Sequence, residues 1–440
     1  MTKKSLKFFL PFEFDQAPQI WDPWKDTWEK SGGKLFIFNC FKKIPFDGIL
    51  ISKPKFDENR KKYEVELDRD NNIKNLLKLP KQVELFGDCG AFQYKDDTKP
   101  PYSAKEILDY YQNYGFDMGC SIDHIIYDKK DENHANERYE ITKRYAKECI
   151  KLYAKQEYSF QLFGVAQGWD IQSYSDMIDF LYELGYEYLC IGGLVGVNRK
   201  NIKHSNDLTV INLLRKLAPK FTKFKKIHIF GRGNLEYFKH YIESGVTQFD
   251  NNIMRKSWTD EKRSYQIFDK NRKTLINYTT IRIRLIDRRM GISKEEQVVF
   301  NKLNDFDNNR ILKEDLISTL KKYNEFYRNF KIEEFSEKLK TNPNSKLLLK
   351  KYNYYKKNSL LFNQVLIENL LNDKPWEKCE CDLCKKYEIH ICVFRRRMRN
   401  TLRAFHNVYN YYLNLDAVRA NDRLINQKEG ILKFIKISDL

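Results

Sequence analysis

Three cysteines crowd together as Cys379, Cys381 and Cys384 in the spacing C-x-C-x-x-C, and His406 follows on a predicted helix over 393–412. Zinc takes four nitrogen or sulfur ligands tetrahedrally, and this grouping supplies a Cys3His set, with His390 competing for the fourth place. Four protein ligands leave no open coordination position, so a Zn2+ ion here holds structure and does no chemistry. Close by, Arg395, Arg396, Arg397, Arg399 and Arg403 form a run whose density suits phosphate contacts along a nucleic-acid backbone. A second set of polar residues is spread widely: Asp88, Asp123, Gln167, Gly193, Gly231 and Asp250 each follow a different short apolar run. Taken singly, an Asp in such a place caps a helix or forms a turn. Taken together, they stand where barrel enzymes gather their catalytic groups, at the C-terminal ends of successive strands.

The elements that must position them read as repeated strand-helix units. Strands are expected at Gly48–Ser52, Val83–Gly87, Asp117–Ile122, Phe160–Ala166, Tyr186–Ile191, Lys226–Phe230 and Val246–Phe249, with amphipathic helical patterns between them. Ser103 with Glu106 forms a capping box, and Gly185 and Gly245 fall where helices should end. A doubly wound sheet has the same alternation, but the polar strand ends favour a closed barrel. The fold class expected is a modified (β/α)8 TIM barrel with a helical insertion and a zinc-binding subdomain. The rhythm breaks after residue 257, so the division expected is a barrel over 1–257, a basic helical insertion over 258–378, and a zinc-binding subdomain with a C-terminal helix over 379–440. Within the insertion, Asp305 to Asn309 resembles the start of a calcium loop, but Arg310 and Leu316 occupy the positions that need Gly and Glu.

The chain of 440 residues carries 79 Lys and Arg against 60 Asp and Glu, a net charge of +19, which favours a polyanionic partner. Hydrophobic residues at 42% and aromatics at 15% exclude a disordered chain. Nine cysteines are unsuited to a closed disulfide framework, the apolar run Phe8 to Phe12 is broken by Pro11 and lacks the form of a signal peptide, and nothing approaches a membrane span. A reducing cytoplasm and no membrane partner are expected.

Several separated segments resemble tRNA-guanine transglycosylases. Asp88-Cys89-Gly90-Ala91-Phe92-Gln93 resembles the family's D-S-G-G-F-Q, Asp117 to Asp123 has the spacing of its S-D-I-x-M-x-F-D-E segment, and Gly164 to Gly168 is similar to G-I-x-Q-G. Ile191 to Leu194 matches I-G-G-L, Phe230-Gly231-Arg232-Gly233 resembles M-G-V-G, Phe249-Asp250 falls at the family's F-D, and the cysteines with Phe405-His406-Asn407 resemble C-x-C-x-x-C followed by I-H-N. The resemblance implies roles. Asp250 would be the nucleophile attacking the sugar C1′, and Asp88 the general acid/base for departing and incoming bases. Asp123, Gln167 and the backbone of Gly193 and Leu194 would read the base edge, and Phe92 and Phe230 would sandwich its ring. Singly, Gly192 and Gly193 read as a turn and the two phenylalanines as core.

The departures matter as well. Cys89 and Ala91 replace Ser and Gly, His124 stands where Glu is usual, and Asn251 to Lys256 lacks the family's L-P-T-R-N-A-R stretch. With the long segment between Asp250 and Cys379, these changes resemble the DpdA branch, whose members insert a 7-deazaguanine, typically 7-cyano-7-deazaguanine (preQ0), into DNA. The partners implied are DNA, a free 7-deazaguanine base and an ATPase protein such as accompanies bacterial members. Three alternatives stand beside this reading: the same exchange on tRNA, a catalytically silent nucleic-acid-binding relative, and a glycosylase that hydrolyses without re-inserting a base.

Overall fold

Eight parallel strands close into a barrel, and the strand missing from the sequence reading is the first: the apolar run near the N-terminus is β1 (Lys7–Pro11). In the computed structural model, which describes residues 5–29, 31, 33–127, 131–194, 209–259, 264–286 and 292–427, it is followed by β2 (Gly48–Ser52), β3 (Glu84–Asp88), β4 (Met118–Cys120), β5 (Gln161–Ala166), β6 (Tyr188–Ile191), β7 (Lys226–Ile229) and β8 (Gln248–Asp250). β1 pairs with β8, aligning Phe9 with Asp250, and with β2, aligning Phe9 with Gly48. Pro11 lacks an N–H, which a strand tolerates at its last residue. The expected (β/α)8 class is borne out, and the seven strands expected from the sequence are all present within two residues of their bounds.

The chain divides into two compact units. The first holds Met1–Phe14, Ile44–Asn252 and Tyr412–Leu440; the second holds Asp15–Lys43 and Ile253–Tyr411. In the first unit, strand alternation layers the barrel interior. At its lower end Glu84 bonds Lys7 at 2.7 Å and lies 3.8 Å from Lys226, while the Gln248 amide meets the Met118 sulfur at 3.6 Å. Above them Phe9, Phe86, Phe163, Tyr188 and His228 pack ring against ring. The upper ends carry Asp88, Cys120, Cys190 and Asp250.

Helix α1 (Ala104–Asn113) starts at the Ser103–Glu106 capping box and buries Ile107, Leu108 and Tyr111. Tyr111 lies over two glycines of neighbouring strands: a Cβ at Gly87 or at Gly119 would stand 2.2 Å from its ring. Its hydroxyl donates to the Cys120 carbonyl at 3.1 Å, so the same ring locks the strand ends that carry Asp88 and Cys120.

The start of β1 is pinned from the far end of the sequence. The helix α2 (Arg397–Gln427) begins later and runs further than the 393–412 expected, because Val393 and Phe394 pair with Ile281 and Arg282 as strand. Its residue Arg419 donates through Nε to the Leu6 carbonyl at 2.7 Å and through Nη2 to Asp47 at 2.5 Å; Asp47 also accepts the Phe8 amide and the Tyr412 hydroxyl, each at 2.8 Å.

The second unit carries the long helices expected within 258–378, at Lys294–Asp307 and Lys313–Thr341, together with an antiparallel hairpin, Tyr265–Asp269 with Thr274–Tyr278, that the helical reading did not include. Asp307 of the calcium-like segment accepts the Trp376 indole N–H at 2.7 Å. Among the described residues, no helix is long and apolar enough to cross a membrane.

Gly119→Ala is expected to destabilise the protein by about 1–3 kcal/mol through overpacking against Tyr111. The midpoint of urea unfolding, compared with that of the natural protein, measures it.

Candidate active site and metal centre

Three carboxylates from three remote parts of the chain stand at the C-terminal ends of the barrel strands. Asp88 ends β3, Asp123 follows β4, and Asp250 ends β8. Burial pushes Asp88 up to about 7, and the charge of Asp123 and more weakly that of Asp250 add to it, against bonds from Gly90 and Cys120. Burial likewise raises Asp123 to about 6, opposed by the donors it accepts. Those donors are the Gln167 amide at 2.5 Å and the Cys89 thiol at 3.2 Å. Burial and the neighbouring carboxylates keep Cys89 a thiol, which is what allows it to donate.

Gln167 is almost fully buried; its Nε2 faces Asp123 while its Oε1 has no hydrogen-bond partner among the described residues. Gly193 fits beside it with φ of +67°, a left-handed conformation that favours glycine, and a Cβ there would stand 2.4 Å from Gln167 Oε1. The Tyr174 hydroxyl holds the Gly192 carbonyl at 2.8 Å, and the Leu194 carbonyl accepts Arg232 Nε at 2.7 Å. Phe230 is half-buried with its ring 4.8 Å from His228, whereas Phe92 is 54% exposed on the loop after β3. The lower part of that loop is tied down. Tyr94 donates to the Asp123 carbonyl at 3.0 Å, and His124, which replaces the family's Glu, is buried and bonds Asp97 O at 3.0 Å and Arg138 at 2.6 Å. Burial and the Arg138 charge push His124 down to about 4, so it serves as a neutral strut.

Asp250 accepts the Gly231 amide at 2.8 Å and faces His228 Nε2 at 3.2 Å, both on Oδ1. His228 and Tyr94 were not among the residues singled out by the sequence, and Cys89 was noted only as a replacement for Ser. His228 had one available signal: it lies two residues before Phe230 and therefore shares its face of the strand.

In the second unit the sulfurs of Cys379, Cys381 and Cys384 and a ring nitrogen of His406 all lie within 4.8 Å of one another, and all four residues are buried. His406 Nε2 faces the Gln266 carbonyl at 2.7 Å, which places its proton there and turns the Nδ1 lone pair toward the thiols. Donors also reach the sulfurs: Cys384 N to Cys381 at 3.2 Å and Asn410 Nδ2 to Cys379 at 3.5 Å. Three buried sulfurs with donors and an inward-facing imidazole form a set that could hold a metal ion. His390 lies elsewhere, against the Trp24 ring and Arg399, and does not complete the cluster.

The arginine run reads differently in space. Arg395, Arg399 and Arg403 are buried: Arg395 pairs with Asp26 and with Glu296 at 3.0 Å, Arg399 bonds Asp26 at 3.0 Å, and Arg403 donates to the Val393 carbonyl at 3.1 Å. Guanidinium groups held inside the unit are not available to phosphates, which corrects the expectation for these three. Arg396 is 24% exposed at its side chain, and Arg397 is 71% exposed beside Asp15.

A family model described as Queuine tRNA-ribosyltransferase matches residues 76–274. The chain is 27% identical over 413 residues to a DNA-guanine transglycosylase of Salmonella montevideo, covering 86% of this chain and 89% of that protein. It is 26% identical over 189 residues to a putative queuine tRNA-ribosyltransferase of Archaeoglobus fulgidus, covering 41% of this chain and 43% of that one. With a tRNA-guanine(15) transglycosylase of Methanococcus aeolicus it shares 24% identity over 189 residues, 42% of this chain and 28% of the relative. The superfamily resemblance is borne out, and with it the class of enzyme: a pentosyltransferase of the transglycosylase kind.

Because Asp88 is raised in the folded protein from an ordinary 3.8 to about 7, the fold binds a proton there that the unfolded chain releases. The resulting stability is fully present below about pH 4 and is lost as pH rises through about 7. Asp88→Asn is therefore expected to melt higher than the natural protein at pH 8, with the gap closing as pH is lowered toward 4; thermal melts across that range measure it.

Proposed function

We propose that this protein exchanges guanine in DNA for a 7-deazaguanine, 7-cyano-7-deazaguanine, through a covalent aspartyl-sugar intermediate. The observation that carries the chemistry is the meeting of Asp88, Asp123 and Asp250 at one end of the barrel, with Asp88 raised to about 7. A general acid/base works best with a pKa near the working pH. An Asp250 oxygen forms a bond to C1′ as the C1′–N9 bond of guanine breaks; the electron pair leaves with the base, and Asp88 supplies a ring-nitrogen proton. The incoming base reverses the sequence: its N9–H proton passes to Asp88, N9 attacks C1′, and the Asp250 carboxylate is released.

Guanine and its 7-deaza analogue present N1–H and N2–H donors beside the O6 acceptor. Asp123 takes the donors, while the Gln167 amide and the Gly193 N–H serve O6, with the Leu194 backbone bordering them. Phe92 and Phe230 close on the two ring faces. A duplex base must be flipped out to reach this position, at a cost of a few kcal/mol by the general rule. DNA as the polymer is supported by the relative named DNA-guanine transglycosylase, which aligns along most of the chain. tRNA stands as the second reading because the matched family description names it. Arg396 and Arg397 are the candidates for phosphate contacts. Cys379, Cys381, Cys384 and His406 would hold one Zn2+, which neutralises the sulfurs and stiffens the second unit.

Labelled 7-cyano-7-deazaguanine is expected to enter duplex DNA with the natural protein and not with Asp250→Ala. Label confined to tRNA would replace the polymer and keep the chemistry; label in neither would overturn the proposal. Native mass spectrometry is expected to find one zinc per chain, and Cys381→Ser to lose the metal and lower the melting temperature.

A further inference from the structure

His228 is fully buried on β7 among the rings of Phe9, Phe86 and Phe230, at centroid distances of 5.8, 4.9 and 4.8 Å. Among the described residues its Nδ1 has no hydrogen-bond partner, and its Nε2 faces Asp250 Oδ1 at 3.2 Å. A ring nitrogen aimed at a carboxylate carries the proton, so Nε2–H donates to Oδ1. The Gly231 amide donates to the same oxygen at 2.8 Å. Aromatic walls hold the imidazole so that it cannot swing away.

We propose that His228 is the positioning residue of the nucleophile: with Gly231 it holds Asp250 by Oδ1, so that Oδ2 is the oxygen presented to C1′. This inference rests on the aspartyl-intermediate reading above. A carboxylate with one free torsion at its tip would otherwise sample orientations in which neither oxygen is aligned with the breaking bond, and alignment is a large part of such a rate. The two donors also favour the free carboxylate over the ester, because an ester carbonyl accepts more weakly than a charged oxygen. They therefore assist release of Asp250 when the incoming base attacks.

The test times the denaturant-stable adduct formed by the full chain on duplex DNA and on tRNA without free base, and measures the KM for labelled guanine in exchange. His228→Leu is expected to slow adduct formation on the order of 10- to 100-fold, because the nucleophile loses its alignment, with the KM for guanine unchanged. His228→Gln, whose amide nitrogen reaches the place of Nε2, is expected to keep most of the rate. His228→Asn, too short to reach, should behave like the Leu variant and serves if Leu does not fold. Full adduct formation by His228→Leu, or loss in His228→Gln equal to that in His228→Asn, would overturn the role of His228 alone. No adduct on either polymer with the natural protein would overturn the covalent reading and this role with it.

Discussion

The site exists because the barrel closes, and it closes through five residues. β1 lies between β8 and β2, so Phe9 faces Asp250 on one side and Gly48 on the other. Without that strand the sheet would be open between its first and last members, and Asp250 would have no fixed relation to Asp88. Closure also makes the electrostatics. Carboxylates at the ends of β3 and β8 and after β4 are brought together in a site of low polarity, and the raised pKa values of Asp88 and Asp123 are the consequence.

Such crowding works against stability, and the surrounding residues offset it selectively. Asp123 has a thiol and an amide as donors, and Asp250 has a backbone N–H and an imidazole. Asp88 has the weaker Cys120 thiol at 3.9 Å and the Gly90 backbone. It is the carboxyl least compensated and the one held nearest neutrality, which is the property a proton carrier needs. The Cys89 found where the resemblance leads one to expect Ser keeps a donor in place.

Much of this was legible in the sequence, for identifiable reasons. The strands from β2 to β8 are apolar runs bounded by turn residues and separated by helical periodicity, so their polar ends could be located. β1 was missed because no strand-helix unit precedes it and Pro11 reads as a break. The arginine run was legible as charge but not as burial. A guanidinium paired with Asp26 or Glu296 looks the same in a sequence as one facing phosphate, and both partners lie hundreds of residues away from Arg395 or in another helix. His228 was passed over because a lone histidine in an apolar strand reads as core, which in its packing it is.

The clasp formed by Arg419 on Leu6 and Asp47 has a temporal meaning. Leu6 and Arg419 are 413 residues apart in the chain, so a ribosome adding roughly 5–20 residues per second delivers the second partner tens of seconds after the first. Throughout that interval β1 can pair with β2, but it has neither its β8 neighbour until residue 250 emerges nor its clasp until residue 419 does. The nascent chain thus carries a half-closed sheet with unpaired edges until residue 250 has emerged, a state prone to pairing with other chains. The completed barrel depends on a contact whose second partner is made 413 residues after the first.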